Sequence, residues 1–182
     1  PLILAVKNNN AKITKLLLSY DNININYIPE KLVRNERFID GEPALHIAIK
    51  NGNFKIVKLL LSHKNIDVNC TSKLKNYGLE GQTALHLAIA HSETEICKLL
   101  LSHPDIKVNS FLIKNENNGK YDKKFEKKAP IHIAAEKGNL EIMNLLLSHQ
   151  DIDINSISLV DFSNAYMKKM YKKTALHIAI EN

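Results

Sequence analysis

Histidine is the residue type whose number and spacing in this sequence first suggest chemistry. Two series of histidines recur along the chain, and successive members are separated by 40, 46 and 45 residues in the first series and by 40 and 46 in the second. The first series is His46, His86, His132 and His177, and the second is His63, His103 and His149. Because neutral imidazole is a common zinc ligand and titrates near neutral pH, either series could indicate a metal site or an acid–base site.

The histidines recur because longer phrases recur around them. LLLS begins at Leu16, Leu59, Leu99 and Leu145, and a second phrase reads ILAV (3–6), HIAI (46–49), HLAI (86–89), HIAA (132–135) and HIAI (177–180). The two phrases shift by the same offsets, so they belong to one repeating unit. Repetition at this period predicts a stacked array in which each unit needs its neighbours to bury its apolar face.

Each unit has helical periodicity. In FKIVKLLLS (54–62) the apolar residues recur at i, i+3 and i+4, which predicts one wide apolar face, and ALHIAIKN (44–51) predicts a shorter helix before it. Between the two helices we expect a left-handed residue, which glycine adopts most easily. The residues at this position are Asn9, Gly52, Ser92 and Gly138, and serine is the least suited of them.

These phrases resemble the ankyrin repeat, whose pattern T-P-L-H-x-A is matched in part by TALHLA (83–88) and TALHIA (174–179). PALHIA (43–48) and APIHIA (129–134) are looser copies, in which Pro43 and Ala129 replace the capping threonine, so these two helices should begin less stably. The resemblance implies an all-α ankyrin-repeat solenoid of helix-turn-helix units, a fragment of a longer array. The expected array is 1–182, with repeats 1–42, 43–82, 83–128 and 129–173 and a partial repeat 174–182.

The connections between the repeats are longer than the family pattern implies. They cover 27–42, 70–82, 110–128 and 156–173 and are expected to form elongated hairpin or loop fingers. Asn118 followed by Gly119 predicts a hairpin tip, whereas residues 163–170 could instead form a short helical turn.

A repeated array argues against metal and acid–base sites. Equivalent residues of stacked helices lie roughly 8 to 10 Å apart, whereas the ligands of one zinc ion each lie about 2 Å from it. The resemblance implies that the first histidine series ties adjacent turns by hydrogen bonds, and the second series is expected to end helices. The chain has no nucleophile elbow, P-loop or HExxH motif. We therefore expect no enzyme activity, no cofactor and no metal.

The excess positive charge lies in the fingers. The formal net charge is +6, and the four connections hold 15 basic and 9 acidic residues, which accounts for all of it. A basic patch with aromatic residues could bind an acidic protein, a phosphoinositide surface or nucleic acid. Because lysine supplies nearly all of the excess, solubility is the favoured interpretation, and specific binding to nucleic acid or membrane is not expected.

The favoured function is therefore a protein–protein interaction module. The resemblance implies that a protein partner binds the concave face and the extended fingers; the alternatives are a structural spacer, a basic tether to an anionic surface, or the regulatory part of a larger enzyme or channel. Two unpaired cysteines favour an intracellular, cytoplasmic location, and a monomer is expected. The candidate contacts are Lys50, Asn51, Ala90, His91, Glu136 and Lys137 at helix ends, and Tyr77, Leu79, Tyr121, Lys123, Lys124, Lys127, Lys128 and Tyr171 in the fingers.

Overall fold

The computed structural model describes residues 1–33, 36–74, 79–117, 123–163 and 168–181. Helices alternate between two sets along the chain, and a tight turn separates the two helices of each pair. The first helices are α1 (Leu2–Lys7), α3 (Ala44–Lys50), α5 (Ala84–Ala90), α7 (Pro130–Lys137) and α9 (Ala175–Glu181). The second helices are α2 (Ala11–Leu18), α4 (Phe54–Leu61), α6 (Thr94–Leu101) and α8 (Leu140–Leu147).

Each set of helices forms one layer, and the hydrophobic core lies between the layers. Each first helix packs against the next first helix, and each second helix packs against the next second helix. The apolar positions at helical spacing supply the core; Ile49, Ile56 and Leu60 have no exposed surface. Cys97 is also fully buried, and burial raises the pKa of its thiol to about 12. It is a core residue, as its place in the apolar run of α6 predicts.

The turn between paired helices needs a left-handed residue, as the sequence predicts. Gly52 and Gly138 have φ values of 61° and 62°, and the residues at the same position in the other units, Asn9 and Ser92, have 52° and 58°. The next residue caps the second helix: side-chain oxygens of Asn10, Asn53 and Asn139 accept hydrogen bonds from the main chain at 3.0 Å. The sequence interpretation did not assign this capping role.

The first helices differ at their N-termini as predicted. The hydroxyl of Thr83 lies 2.8 Å from His86 Nδ1, and the hydroxyl of Thr174 lies 2.7 Å from His177 Nδ1. Pro43 and Ala129 make no side-chain hydrogen bond at the same place. Together with α1, which begins after Pro1, three of the five described first helices therefore begin without the threonine cap.

The fingers are β-hairpins, one of the two forms expected for them, and they join into one sheet, so the expected all-α class describes only the helical part of the solenoid. The eight strands follow chain order in the sheet, and the registers of all neighbouring pairs are antiparallel. They are β1 (Glu30–Val33), β2 (Glu36–Gly41), β3 (Lys73–Leu74), β4 (Leu79–Glu80), β5 (Leu112–Asn117), β6 (Lys123–Lys128), β7 (Ser158–Ser163) and β8 (Lys168–Lys173). The stack places successive fingers side by side, and their strands then satisfy each other's main-chain groups.

The possible helical turn over residues 163–170 is not found at Ser163 or at residues 168–170, and residues 164–167 lie outside the described part of the chain. Ser163 ends β7, and residues 168–170 begin β8. Pairing across the sheet decides this segment, because β7 lies between β6 and β8 and bonds to both. The expected hairpin tip at Asn118 and Gly119 lies outside the described residues.

Candidate partner-binding surface

Two members of the first histidine series, His46 and His132, tie a first helix to the start of a finger. A ring nitrogen of His46 bonds the carbonyl of Cys70 at 3.0 Å, and His132 bonds the carbonyl of Ser156 at 2.9 Å. The other ring nitrogen of His132 accepts the main-chain N–H of Ala129 at 3.1 Å. Burial lowers the pKa of His46 and of His86 to about 4 in each case, so these imidazoles are neutral at physiological pH.

The second histidine series closes the turn that follows each second helix. Nδ1 of His63, His103 and His149 accepts the N–H two residues further on, at 3.2 Å in each case. The helix ends one residue earlier, where the serine hydroxyl donates to the carbonyl three residues back, as Ser62 does to Leu59 at 2.9 Å. The sequence predicts that these histidines end the second helices; in the structure each lies one residue beyond the helix end, and a serine caps the helix.

The described residues contain no group of three His, Cys, Asp or Glu side chains placed to hold a metal ion. Within the same residues, no helix is long and apolar enough to cross a bilayer. The recurring polar side chains bond the main chain of the stack instead.

Ion pairs join three fingers to the ends of first helices. Lys50 Nζ lies 2.5 Å from Glu42 Oε1, and Lys128 Nζ lies 2.6 Å from Glu136 Oε1. Lys173 and Glu181 form the third pair. Each pair links the base of a finger with a residue eight positions later. In the first pair the finger carries the acidic residue and the helix end the basic one, and in the other two pairs the charges are exchanged. The sheet face that carries Lys128 and Lys173 is therefore joined to the ends of the first helices. We call this sheet face and these helix ends the helix–finger surface.

The sheet part of this surface carries both charged and apolar side chains. Cross-strand partners share a face, so one row runs through Leu79, Lys114, Glu126, Val160 and Tyr171. Leu79 is half-buried and Tyr171 is 42% exposed. An accessible aromatic ring beside fixed charges is typical of protein interfaces.

Glu126 is the centre of a charged cluster on this face. Its carboxylate lies 2.6 Å from Lys124 Nζ and 3.3 Å from Lys128 Nζ. Burial opposes ionisation of Glu126, but the hydrogen bond from Lys124 and the charges of both lysines hold its pKa below the usual value. Burial likewise opposes the charge of Lys128, and its bond to Glu136 and the nearby Glu126 hold its pKa above the usual value.

The four lysines expected to act together in the third finger do not share one face. Side chains alternate along a strand, so Lys124 and Lys128 lie on the helix–finger surface and Lys127 lies on the opposite face. There Lys127 Nζ lies 4.0 Å from the centre of the Phe111 ring, a cation–π contact. The side chain of Lys123 and all of Tyr77 and Tyr121 lie outside what the structure describes.

The predicted contacts at the helix ends also divide into two groups. Lys50, His91 and Lys137 are exposed, whereas Ala90 packs against the core. The Asn51 amide donates to Val6 O at 3.3 Å and to Asn9 Oδ1 at 3.0 Å, which joins neighbouring turns of the stack. Sequence patterns did not separate these supporting residues from the accessible ones, because both kinds stand at the same helix ends.

Comparisons with known proteins agree with this architecture. The family model described as ankyrin repeats (3 copies) matches residues 2–111 and 108–182, so this chain belongs to the ankyrin-repeat family. No curated protein sequence matches the chain closely enough to be given as a relative.

Two solved structures have a similar fold. The chain is similar to the crystal structure of EF0377, an ankyrin repeat protein, with 22% identity and a TM-score of 0.63 over 86% of this chain. It spans 65% of the length of that chain. An ankyrin repeat domain, ABAYE2397 from Acinetobacter baumannii AYE, has 22% identity and a TM-score of 0.66, covering 99% of this chain and 70% of its own. Likeness at this identity shows the fold alone.

Proposed function

We propose that this chain is a non-catalytic protein-binding module and that its partner contacts the helix–finger surface. Ankyrin repeats generally mediate protein–protein interaction, and the partner is not identified by the fold. The observation that carries the proposal is the continuity of the surface, since strand pairing joins all four fingers and ion pairs fix three of them to helix ends. A surface held in one shape loses less conformational entropy on binding.

Within this surface we propose two kinds of contact. Lys50, His91 and Lys137 are accessible at the helix ends, and Tyr171 and Leu79 supply apolar area in the fingers. Tyrosine is enriched among residues that dominate interface energetics. Lys124, Lys128 and Glu136 contribute fixed charges of both signs, and Asn51 and Ala90 support the surface. We also propose the repeat boundaries given above. Partner contacts are proposed as well for Tyr77, Tyr121, Lys123 and Lys127.

Charge pairing favours a protein partner over an anionic surface. Lys124, Lys128 and Lys173 each lie beside a carboxylate, and Lys127 lies over an aromatic ring. Lysines with such neighbours offer less uncompensated charge to phosphate groups than the bare count of lysines suggests. A patterned surface of both signs instead gives orientation and specificity to a protein complex.

The proposal is tested by capturing a partner from a lysate with the immobilised chain and measuring its affinity for matched variants. Lys50→Ala/Lys137→Ala removes two exposed lysines from the helix–finger surface, and Lys12→Ala/Lys55→Ala removes two exposed lysines from second helices. We expect the first variant to weaken binding at least about fivefold, or about 1 kcal/mol, and the second to leave it unchanged. Equal effects of the two variants would place the partner elsewhere.

A parallel measurement tests the alternative of an anionic tether. The chain is titrated with phosphatidylserine vesicles and with single-stranded RNA over a salt series. We expect weak binding that disappears at physiological ionic strength. Saturable binding at that ionic strength, lost in Lys168→Glu/Lys172→Glu, would favour the tether over the protein-binding module.

A further inference from the structure

The charged residues at the ends of the first helices change sign along the stack. In each unit one residue directly follows the repeated phrase ILAV, HIAI, HLAI or HIAA, and we call these residues the helix-end row: Lys7, Lys50, Ala90, Glu136 and Glu181. The row is basic in the first two units, uncharged in the third and acidic in the last two. Its sign therefore changes in the middle unit, whose first helix α5 packs against both α3 and α7.

In each ion pair of the helix–finger surface, the helix-end residue is more accessible than the residue at the finger base. The side chain of Lys50 is 36% exposed and that of Glu42 is 20% exposed, and Glu136 and Lys128 differ in the same way, with 35% and 17%. The pair at the end of α9 has the same order. A partner that approaches this surface therefore meets the charge of the helix-end row first, and the opposite charge at the finger base is the more covered one.

The third unit has no charge at either position of the pair. Gln82 stands at the finger base and Ala90 at the helix end, so the two ends of the row are separated by an uncharged unit. Lys137 directly follows Glu136 and is an exposed positive charge, but it stands at the position of Asn51, whose amide bonds the preceding turn of the stack. Lys137 is therefore a residue of the turns and not of the row.

The rest of the helical stack has the same polarity as the row. The helix pairs with their turns in residues 1–26 and 43–69 contain seven basic and two acidic residues, whereas residues 83–109, 129–155 and 174–182 contain three basic and eight acidic residues. Such a distribution orients an approaching charged partner. Salt screens charges beyond about 8 Å at physiological ionic strength, so within a complex the row acts through the residues that touch the partner.

We propose that the partner protein contacts the helix-end row through an extended segment whose charges run in the opposite order. Its acidic residues face Lys7 and Lys50, and its basic residues face Glu136 and Glu181. Stacked helices lie roughly 8 to 10 Å apart, so the row spans about 32 to 40 Å, which an extended segment of about ten to twelve residues covers. The two ends of the row fix the direction of the segment, since the reversed direction places like charges together. This inference rests on the proposed protein-binding role of the helix–finger surface and adds the chemistry and direction of the bound segment.

The first test uses synthetic peptides of about twelve residues, titrated into the intact chain at low ionic strength. One peptide carries a block of glutamates, a block of uncharged residues and a block of lysines, and a control peptide of the same composition alternates glutamate and lysine. We expect saturable binding of the block peptide, at least about fivefold tighter than that of the alternating peptide. A spin label at its glutamate end should broaden the amide resonances of Lys7 and Lys50 more than those of Glu136 and Glu181. Equal affinities of the two peptides, or stronger broadening at Glu136 and Glu181, would overturn the proposal.

The second test exchanges the two charges within one ion pair. Glu42→Lys/Lys50→Glu and Lys173→Glu/Glu181→Lys should each keep the bond between finger and helix but reverse the charge of the row at one end. We expect each exchange to weaken binding of the block peptide at least about fivefold, with a nearly unchanged urea midpoint because the ion pair is retained. Unchanged affinity in both variants would contradict the proposed order of charges.

The same variants separate this inference from the proposed function. A partner captured from a lysate that is weakened by Lys50→Ala/Lys137→Ala, but is bound unchanged by both exchanged pairs, would leave the protein-binding module in place and overturn the order of charges. No effect of Lys50→Ala/Lys137→Ala on that partner would overturn both. Sedimentation of the chain alone is the remaining control, because the row is complementary to its own antiparallel copy. A dimer that either exchange dissociates would show that a second copy, and not a partner segment, occupies the row.

Discussion

The side chain of Asn69 binds the main chain of Lys107 in the next unit. Its amide oxygen accepts the N–H of Lys107 at 2.9 Å, and its amide nitrogen donates to the neighbouring carbonyl of Asp105 at 2.6 Å. Asn26 and Asn109 make the same two bonds to the turns that follow them. Each of these three asparagines therefore joins one unit to the next through two hydrogen bonds, since its side-chain amide offers both a donor and an acceptor.

Replacing one of these asparagines should weaken the stack. We expect Asn69→Ala to lower the free energy of unfolding by about 1 to 3 kcal/mol, because two main-chain groups lose their partners. Asn155 is exposed and no described turn follows it, so Asn155→Ala is the matched control and should change stability by less than about 0.5 kcal/mol. Urea unfolding followed by circular dichroism measures both. An equal loss in the two variants would contradict a role between units.

The threonine cap can be removed from one first helix and added to another. Thr83→Ala should lower stability by about 1 kcal/mol, because the helix loses its side-chain cap and His86 loses a bond. Ala129→Thr should raise stability by a similar amount at α7, which begins without such a cap. Thermal unfolding of both variants tests the pair. A decrease in both would show that the site at Ala129 does not accept the larger side chain.

Ser92 is the least suited of the left-handed turn residues. Ser92→Gly should stabilise the chain by about 1 kcal/mol, because a positive φ of 58° costs serine energy that glycine does not lose. Ser102→Gly provides the control: Ser102 has right-handed helical φ and ψ values, and its hydroxyl bonds Leu99 O at 2.8 Å. That variant should destabilise. Denaturation midpoints that shift in the same direction would disprove the conformational argument.

Two glycines with similar positive φ separate conformational strain from crowding between fingers. A Cβ at Gly81 would lie 2.5 Å from the carbonyl oxygen of Phe111 in the next finger, whereas a Cβ at Gly138 meets nothing within 4 Å. Gly81 has a φ of 72° and Gly138 has a φ of 62°, so both backbones are left-handed. We expect Gly138→Ala to cost about 1 kcal/mol and Gly81→Ala clearly more. Chemical unfolding compares them, and equal costs would mean that the fingers separate without penalty.

Acidification should destabilise the fold through its buried histidines. The pKa of His46 and of His86 is about 4 in the folded chain and about 6.5 when unfolded, so below pH 6.5 the unfolded chain binds protons that the folded chain does not. The free energy of unfolding therefore falls as pH decreases from about 6.5 to about 4, by up to about 1.4 kcal/mol per pH unit for each histidine. Unfolding at pH 7.5 and 5 measures the loss. Ring resonances of both histidines should keep their neutral positions above pH 5, and titration near 6.5 would refute the prediction.

Much of the helical framework follows from the sequence because its causes are local. The spacing of Ile56, Leu59 and Leu60 indicates a helix with one apolar face, and Gly52 indicates the turn before it. The capping roles of Asn53 and Asn139 could have been found as well, since asparagine before an apolar helical run is a known cap signal. The accessible surface was less predictable: Asn51 and Lys137 stand at equivalent positions of their repeats and both are exposed, yet the Asn51 amide also bonds a neighbouring turn.

The sequence by itself determined the repeated helix pairs and their left-handed turns, because these depend on residue types and on spacings of a few positions. Only the tertiary structure decided that the fingers form one eight-stranded sheet, that Lys124 and Lys127 face opposite ways, and that Lys128 bonds Glu136. The physical reason is that strand partners and ion pairs come from different units. The stacking of the helices brings these residues within reach, and that stacking is a property of the whole array.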